Sequence, residues 1–207
     1  NFLLITAIST LLVLGLFFSN SVVVKMLSFD NKSEIAIQVD LREGSTLEDT
    51  ERTLRQIANS LSDLPELKNL QMYVGLGAPF NFNGLVKHSY LREKVELGEL
   101  QLNLLDKDDR DRESHSIAID IRSRLKKLNL DSTIAVKVLE VPPGPPVLST
   151  LLAEIYGPDA DSRRNTAIKI KEIFAKVDFI TDIDDSFGEL ADRINISADK
   201  ERLDYYG

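Results

Sequence analysis

Apolar positions recur along this chain with three different periods. Residues 2–18 are a nearly unbroken apolar run, and no charged side chain occurs before Lys25. A hydrocarbon core of about 30 Å needs roughly 20 apolar residues at helical rise. Residues 2–24 are therefore expected to span a membrane as one helix, with Thr6, Ser9 and Thr10 bonding back to its backbone and Lys25 marking the exit. A secretory signal would open on a basic segment, be shorter and close on small residues. Here the chain begins at Asn1 and runs on through Val22, Val23 and Val24. That reads as an uncleaved helix and, without an initiating Met, as part of a longer chain.

Beyond Leu27 the pattern alternates between period two and helical spacing. Ile35, Ile37, Val39 and Leu41 share one face of a strand over residues 33–41. Gly44 interrupts it, Ser45 or Thr46 can cap a helix with Glu48 and Asp49 in its first turn, and Leu47, Leu54, Ile57 and Leu61 keep helical spacing up to Pro65. A strand over 69–74 ends at Gly75. The same order returns with a strand over 99–105, a helix over 112–128 carrying Ile117, Ile121, Leu125 and Leu128, and a strand over 133–141. A third round starts near Thr150, with a turn at Pro158 and Asp159 and a helix capped by Asp161 that bears Ala167, Ile170, Phe174 and Val177. Residues 180–183 and 193–197 read as its strands.

Two β-α-β units joined make the split βαβ, ferredoxin-like sandwich, four strands with two helices on one face. The fold class expected is thus α+β: one transmembrane helix followed by tandem ferredoxin-like subdomains, the second incomplete. The domains expected are the helix at 1–24, a first subdomain at 25–141, a Pro-rich connector at 142–147 and the start of a second subdomain at 148–207. The connector holds four prolines, which neither propagate a helix nor donate to a ladder.

Composition narrows the function classes. With 25 basic against 33 acidic side chains and a net charge of -8, the chain lacks the basic stripe that neutralises phosphates, so no nucleic-acid partner is expected. It has no cysteine, hence no disulfide, zinc-thiolate site or thiol nucleophile. His88 and His115 are the two histidines, and no spacing sets Ser or Asp beside either, so no catalytic residue, no metal ligand set and no cofactor is assigned and an enzyme is not expected. Asp182, Asp184 and Asp185 read as a solvated turn, and the mixed charges over 106–112 as a solvated helix entrance. The segment 75–84 stands apart. It holds Gly75, Gly77 and Gly84 around Phe80 and Phe82, but no Lys-Ser/Thr follows, which excludes a phosphate-cradling loop. The two rings either contact an apolar ligand, for which they bury much area with few torsions, or pack back on the sheet.

A membrane helix, tandem split βαβ units and a glycine-phenylalanine loop in that order resemble the C-terminal half of the porter region in resistance-nodulation-division (RND) efflux permeases. The stretch 39–50 (VDLREGSTLEDT) is similar to the family's strand-turn-helix signature, in which the position of Arg42 is often proline. Residues 75–84 fall where these pumps carry a switch loop between two substrate pockets, and 143–159 and 194–202 resemble the approach to the second subdomain and a strand-to-helix passage. The segment 85–97, with Lys87, His88, Arg92, Glu93 and Lys94, is longer than in well-known multidrug members. Metal-exporting relatives line their pocket with methionines, whereas this chain has only Met26 and Met72, which disfavours a soft-metal cargo.

The resemblance implies proton-driven export of apolar or amphiphilic small molecules by alternating access. It implies a homotrimeric full-length protein in the bacterial inner membrane, with this soluble part periplasmic and with a periplasmic adaptor and an outer-membrane channel as partners. Gly75, Gly77, Phe80, Phe82 and Gly84 would form the switch loop on the substrate path. Residues 1–24 contain no ionisable side chain and would not relay the proton. The alternative is a membrane-anchored extracytoplasmic binding or assembly module built from the same βαβ units.

Overall fold

The computed structural model describes residues 2–19, 31–79, 84, 89–131, 133–141, 149, 151–187 and 194–206. Its centre is a four-stranded antiparallel sheet of β1 (Glu34–Asp40), β2 (Leu67–Val74), β3 (Leu97–Leu104) and β4 (Ala135–Leu139), in the spatial order β2-β3-β1-β4. Helices α2 (Leu47–Leu61) and α3 (Ser114–Lys127) connect β1 to β2 and β3 to β4. That order, with both crossovers helical, is the split βαβ arrangement.

Period two decides which face is apolar. Ile35, Ile37 and Val39 of β1 and Leu100, Leu102 and Leu104 of β3 are buried against Leu54, Ile57 and Leu61 of α2 and Ile117, Ile121 and Leu125 of α3. Burying each such side chain contributes roughly 1.5–3 kcal/mol. Helix α2 starts on a capping box, in which the Thr46 hydroxyl accepts from the Asp49 N–H and the Asp49 carboxylate accepts from the Thr46 N–H. It lies close on β3, since a Cβ at Gly98 would come within 2.5 Å of Leu54 Cδ1. Helix α3 has no side-chain cap of its own from Glu113. Instead, Asn31 Oδ1 accepts from the Ser114 N–H at 2.9 Å.

The expected entrance to α3 is not simply solvated. Arg112 forms two parallel bonds to Glu66, each 2.6 Å, and a third to Asp120 at 3.0 Å. Arg110 donates to the Leu105 and Arg112 carbonyls and to Asn31. A fork of fixed donors matches a carboxylate in two places at once, so these cations tie the chain ahead of α3 to the strand ends.

Two expectations about the ends are corrected. Helix α1 (Phe2–Phe18) has 17 residues, and among the described residues no helix is long and apolar enough to cross a membrane. At about 1.5 Å per residue it reaches about 26 Å, short of a hydrocarbon core of about 30 Å. The Thr6 and Thr10 hydroxyls do bond back, to the Phe2 and Thr6 carbonyls, but Ser19 closes the last turn on Gly15 and Leu16. The expected continuation through Val22–24 lies outside the described residues.

The second correction is that no tandem sandwich exists among the described residues, which form this one sheet. The third repeat contributes helix α4 (Ala160–Phe174), capped by Asp159 rather than Asp161, and the short helix α5 (Lys200–Tyr206). Residues 151–157, 180–183 and 194–197 join no ladder. Alternation gives a strand only where a neighbour accepts and donates hydrogen bonds, and α4 buries only Ala167. The Pro-rich connector lies outside the described residues.

Candidate functional site

Away from the helices the sheet is polar. Opposed residues in the register put Gln38 between Glu99 and Lys137, with Asp40 next along β1 and Tyr73, Gln71 and Asn69 on β2. Where this face is open, its side chains bond one another, Asn103 to Asn69 and Tyr73 to Gln71, both at 2.7 Å. Elsewhere it is covered by the chain that joins β2 to β3.

That chain leaves β2 through Gly75, whose φ of +73° is left-handed and whose N–H donates to the Leu97 carbonyl at 2.8 Å. A Cβ at Gly75 would also meet Leu47 Cδ1 at 2.8 Å. Gly77 is pressed against the turn at Ser89–Leu91, where a Cβ would stand 2.2 Å from the Ser89 carbonyl oxygen. These two glycines thus serve close approach. Ala78 is buried, and its N–H reaches Glu99 Oε2 at 3.4 Å. Gly84 is buried as well. Phe80, Phe82 and His88 lie outside the described residues. The structure therefore places Gly75 and Gly77 on the sheet but leaves the ring contacts expected of the loop outside what it describes.

Charged side chains bridge one another on this face. Arg92 pairs with Asp40, Lys137 bonds the other Asp40 oxygen at 3.0 Å, and Lys137 also pairs with Asp184. Burial would lift the Asp40 carboxyl, but the Arg92 and Lys137 cations outweigh it and hold it below the ordinary range. Burial would likewise lower Lys137, yet Asp184 and Asp40 keep its ammonium above the usual lysine value. Glu99 differs. It is 2% exposed, and burial pushes its carboxyl up despite the Ala78 N–H, the nearby Arg92 and the Gln38 side chain. Among the described residues the Arg92 Nε is buried without a hydrogen-bond partner.

A concavity lies beside β4. Leu125, Leu130, Ile134, Val136, Ile180 and Ile183 line a cleft of about 490 Å³, together with Arg122, Lys126, Asp131 and Asp182. Asp182 is the reason the segment after α4 reaches this edge. Its carboxylate accepts from Arg122 Nε at 3.1 Å and from the Val138 N–H at 3.3 Å, and its φ of 56° is one an aspartate tolerates better than most residues. Arg122 Nη2 donates to the Val138 carbonyl at 2.7 Å. Asp185 accepts from Lys171 and from the Phe187 N–H, both at 2.9 Å. The three aspartates expected in a solvated turn are therefore three tethers. His115 meets Glu140 at 2.9 Å, a partner just past the end of β4 that spacing along α3 does not reveal. Among the described residues no group of three or more His, Cys, Asp or Glu is placed to hold a metal ion.

The fold has clear structural neighbours. A heavy metal efflux pump in one crystal form superposes with a TM-score of 0.65 at 15% identity, over 98% of this chain and 20% of that one. A second crystal form of a heavy metal efflux pump gives a TM-score of 0.59 at 16% identity, over 84% of this chain and 18% of that one. The chain thus spans about a fifth of the length of the pumps it resembles. No protein-family model matches the sequence, and no curated protein does.

Proposed function

We propose that this chain is part of the porter region of an RND-type efflux transporter, which exports small molecules by alternating access driven by the proton gradient. The observation that carries the reading is the superposition of nearly the whole chain on one segment of an efflux pump. The order of sequence signatures supports it independently. In this reading the protein is a homotrimer of the bacterial inner membrane with these residues in the periplasm, working with an adaptor and an outer-membrane channel. Its work is movement of a solute rather than bond-making.

The cargo favoured is an apolar or amphiphilic organic molecule. The cleft beside β4 is lined by aliphatic side chains together with a few charged ones, a mixture that suits an amphiphilic ligand. Thioethers for a soft metal are poorly supported, because Met72 packs on the hydrophobic core. The loop from Gly75 to Gly84 acts as the gate, and Gly77 sets how closely it closes on Ser89.

The test is efflux by the full-length transporter in cells lacking their own pumps. A lipophilic fluorescent dye should leave the cells, stop leaving when a protonophore collapses the gradient, and leave at least about tenfold more slowly with Gly77→Val at equal expression. Dye retention equal to that of empty cells, or export indifferent to the protonophore, overturns the reading.

A further inference from the structure

The geometry points to a charge relay, Arg92–Asp40–Lys137–Asp184, that makes two separate segments dock on the sheet cooperatively: the chain after β2 at one end and the chain after α4 at the other. The four groups alternate in sign and each inner one has two partners, Asp40 between Arg92 and Lys137, and Lys137 between Asp40 and Asp184. Arg92, Asp40 and Lys137 are enclosed, with side chains 18%, 23% and 17% exposed, against 43% for Asp184.

The sign of the coupling follows from the sharing. With Arg92 in place the Asp40 carboxylate is neutralised, and Lys137 is free to divide itself with Asp184. If Arg92 departs, Asp40 becomes a half-buried anion with one counter-charge. Lys137 is then drawn wholly to it, because an uncompensated enclosed charge is costly, and Asp184 is released. Conversely, when Asp184 departs, Lys137 moves onto Asp40 and competes with Arg92. Binding at either end therefore favours binding at the other, and by linkage the two effects are equal.

Among the described residues, the other ion pairs of the two segments run elsewhere. On the α4 side Asp182 is held by Arg122 and Asp185 by Lys171, neither of which touches the Arg92 segment. On the β2 side Arg92 also faces Glu99, which belongs to β3 and has no bond to the 181–187 segment. The relay passes through β1 and β4 alone. It deepens the porter reading, since it lets closure of the gate be felt at the cleft, but it concerns docking equilibria that exist whether or not the protein transports anything.

Amide hydrogen exchange on the purified chain tests it without a transport assay. Arg92→Gln should raise exchange of the Val138 amide, which donates to Asp182 of the 181–187 segment, by about five- to tenfold. Adding Asp40→Asn to Arg92→Gln should restore most of the protection, because Lys137 then has no competing carboxylate. A loss of packing alone would deepen rather than reverse in the double variant. The exposed-end variant Asp184→Asn, which puts the fold at little risk, should loosen the Arg92 amide bonded to the Ser89 carbonyl by the same factor. Wild-type exchange of the Val138 amide in Arg92→Gln, no restoration in the double variant, or an unchanged Arg92 amide in Asp184→Asn each overturns the relay. Retained coupling with absent dye export would sink the transport reading alone.

Discussion

Single side chains on the polar face oppose one another across the pH scale. Burial raises the Glu99 carboxyl above its ordinary value of 4.5, so the folded chain holds that proton more tightly than the unfolded chain. Its effect on stability is therefore favourable at low pH, and stability falls as pH rises through the raised folded value. Asp40 runs the other way. Its depressed carboxyl stabilises the fold above the ordinary 3.8, and that contribution is lost as pH drops through the folded value. Glu99→Gln should consequently raise the urea midpoint at neutral pH and flatten the rise in stability on mild acidification, while Asp40→Asn should flatten the loss at stronger acidity. Equal slopes in wild type and Glu99→Gln would contradict the assignment. Gly77→Ala is a steric test at the same scale. A methyl 2.2 Å from the Ser89 oxygen forces the turn at Ser89–Leu91 aside, at a cost of about 1–3 kcal/mol, measurable by denaturant titration and as loss of protection at the Arg92 amide.

Elements divide into those whose pattern sufficed and those that needed partners. Ile35, Ile37 and Val39 alternate, Leu54, Ile57 and Leu61 follow helical spacing, and each set lies in the core, because one face of each element meets apolar neighbours. Thr46→Ala should cost about 1 kcal/mol in equilibrium unfolding, since it removes the hydroxyl that accepts from the Asp49 N–H and leaves only the Asp49 carboxylate on the residue 46 N–H. The third repeat shows the limit of such reading. Residues 180–183 alternate plausibly, yet their role depends on Asp182 reaching an amide and a guanidinium far away in sequence, which no local period encodes. Helix α1 shows a related limit: the uncharged pattern runs through residue 24, whereas the helix ends at Phe18 with the Ser19 hydroxyl bonded back to Leu16. The segment after β2 was legible as glycine-rich, but not the contacts that require its glycines. Gly77 needs its hydrogen because of Ser89, and Arg92, Asp40 and Glu99 meet only once β1 and β3 are paired.

For the whole molecule, the cooperative core is confined to one stretch. All buried residues of the apolar cluster lie between Ile35 and Val138, so a fragment of residues 31–141 should unfold in a single transition with nearly the denaturant dependence of the complete chain, because that slope tracks the surface exposed. A markedly shallower slope would mean that the remaining helices share the cooperative unit. Such a fragment would also lose Asp182, and with it the cover on β4. In the 207-residue chain the outward amide and carbonyl of Val138 are both occupied by side chains, so a foreign strand finds no free rung at that residue on which to zip. Neutralising that one aspartate would bare the amide while Arg122 keeps the carbonyl, and clumping of otherwise folded copies would be the first symptom.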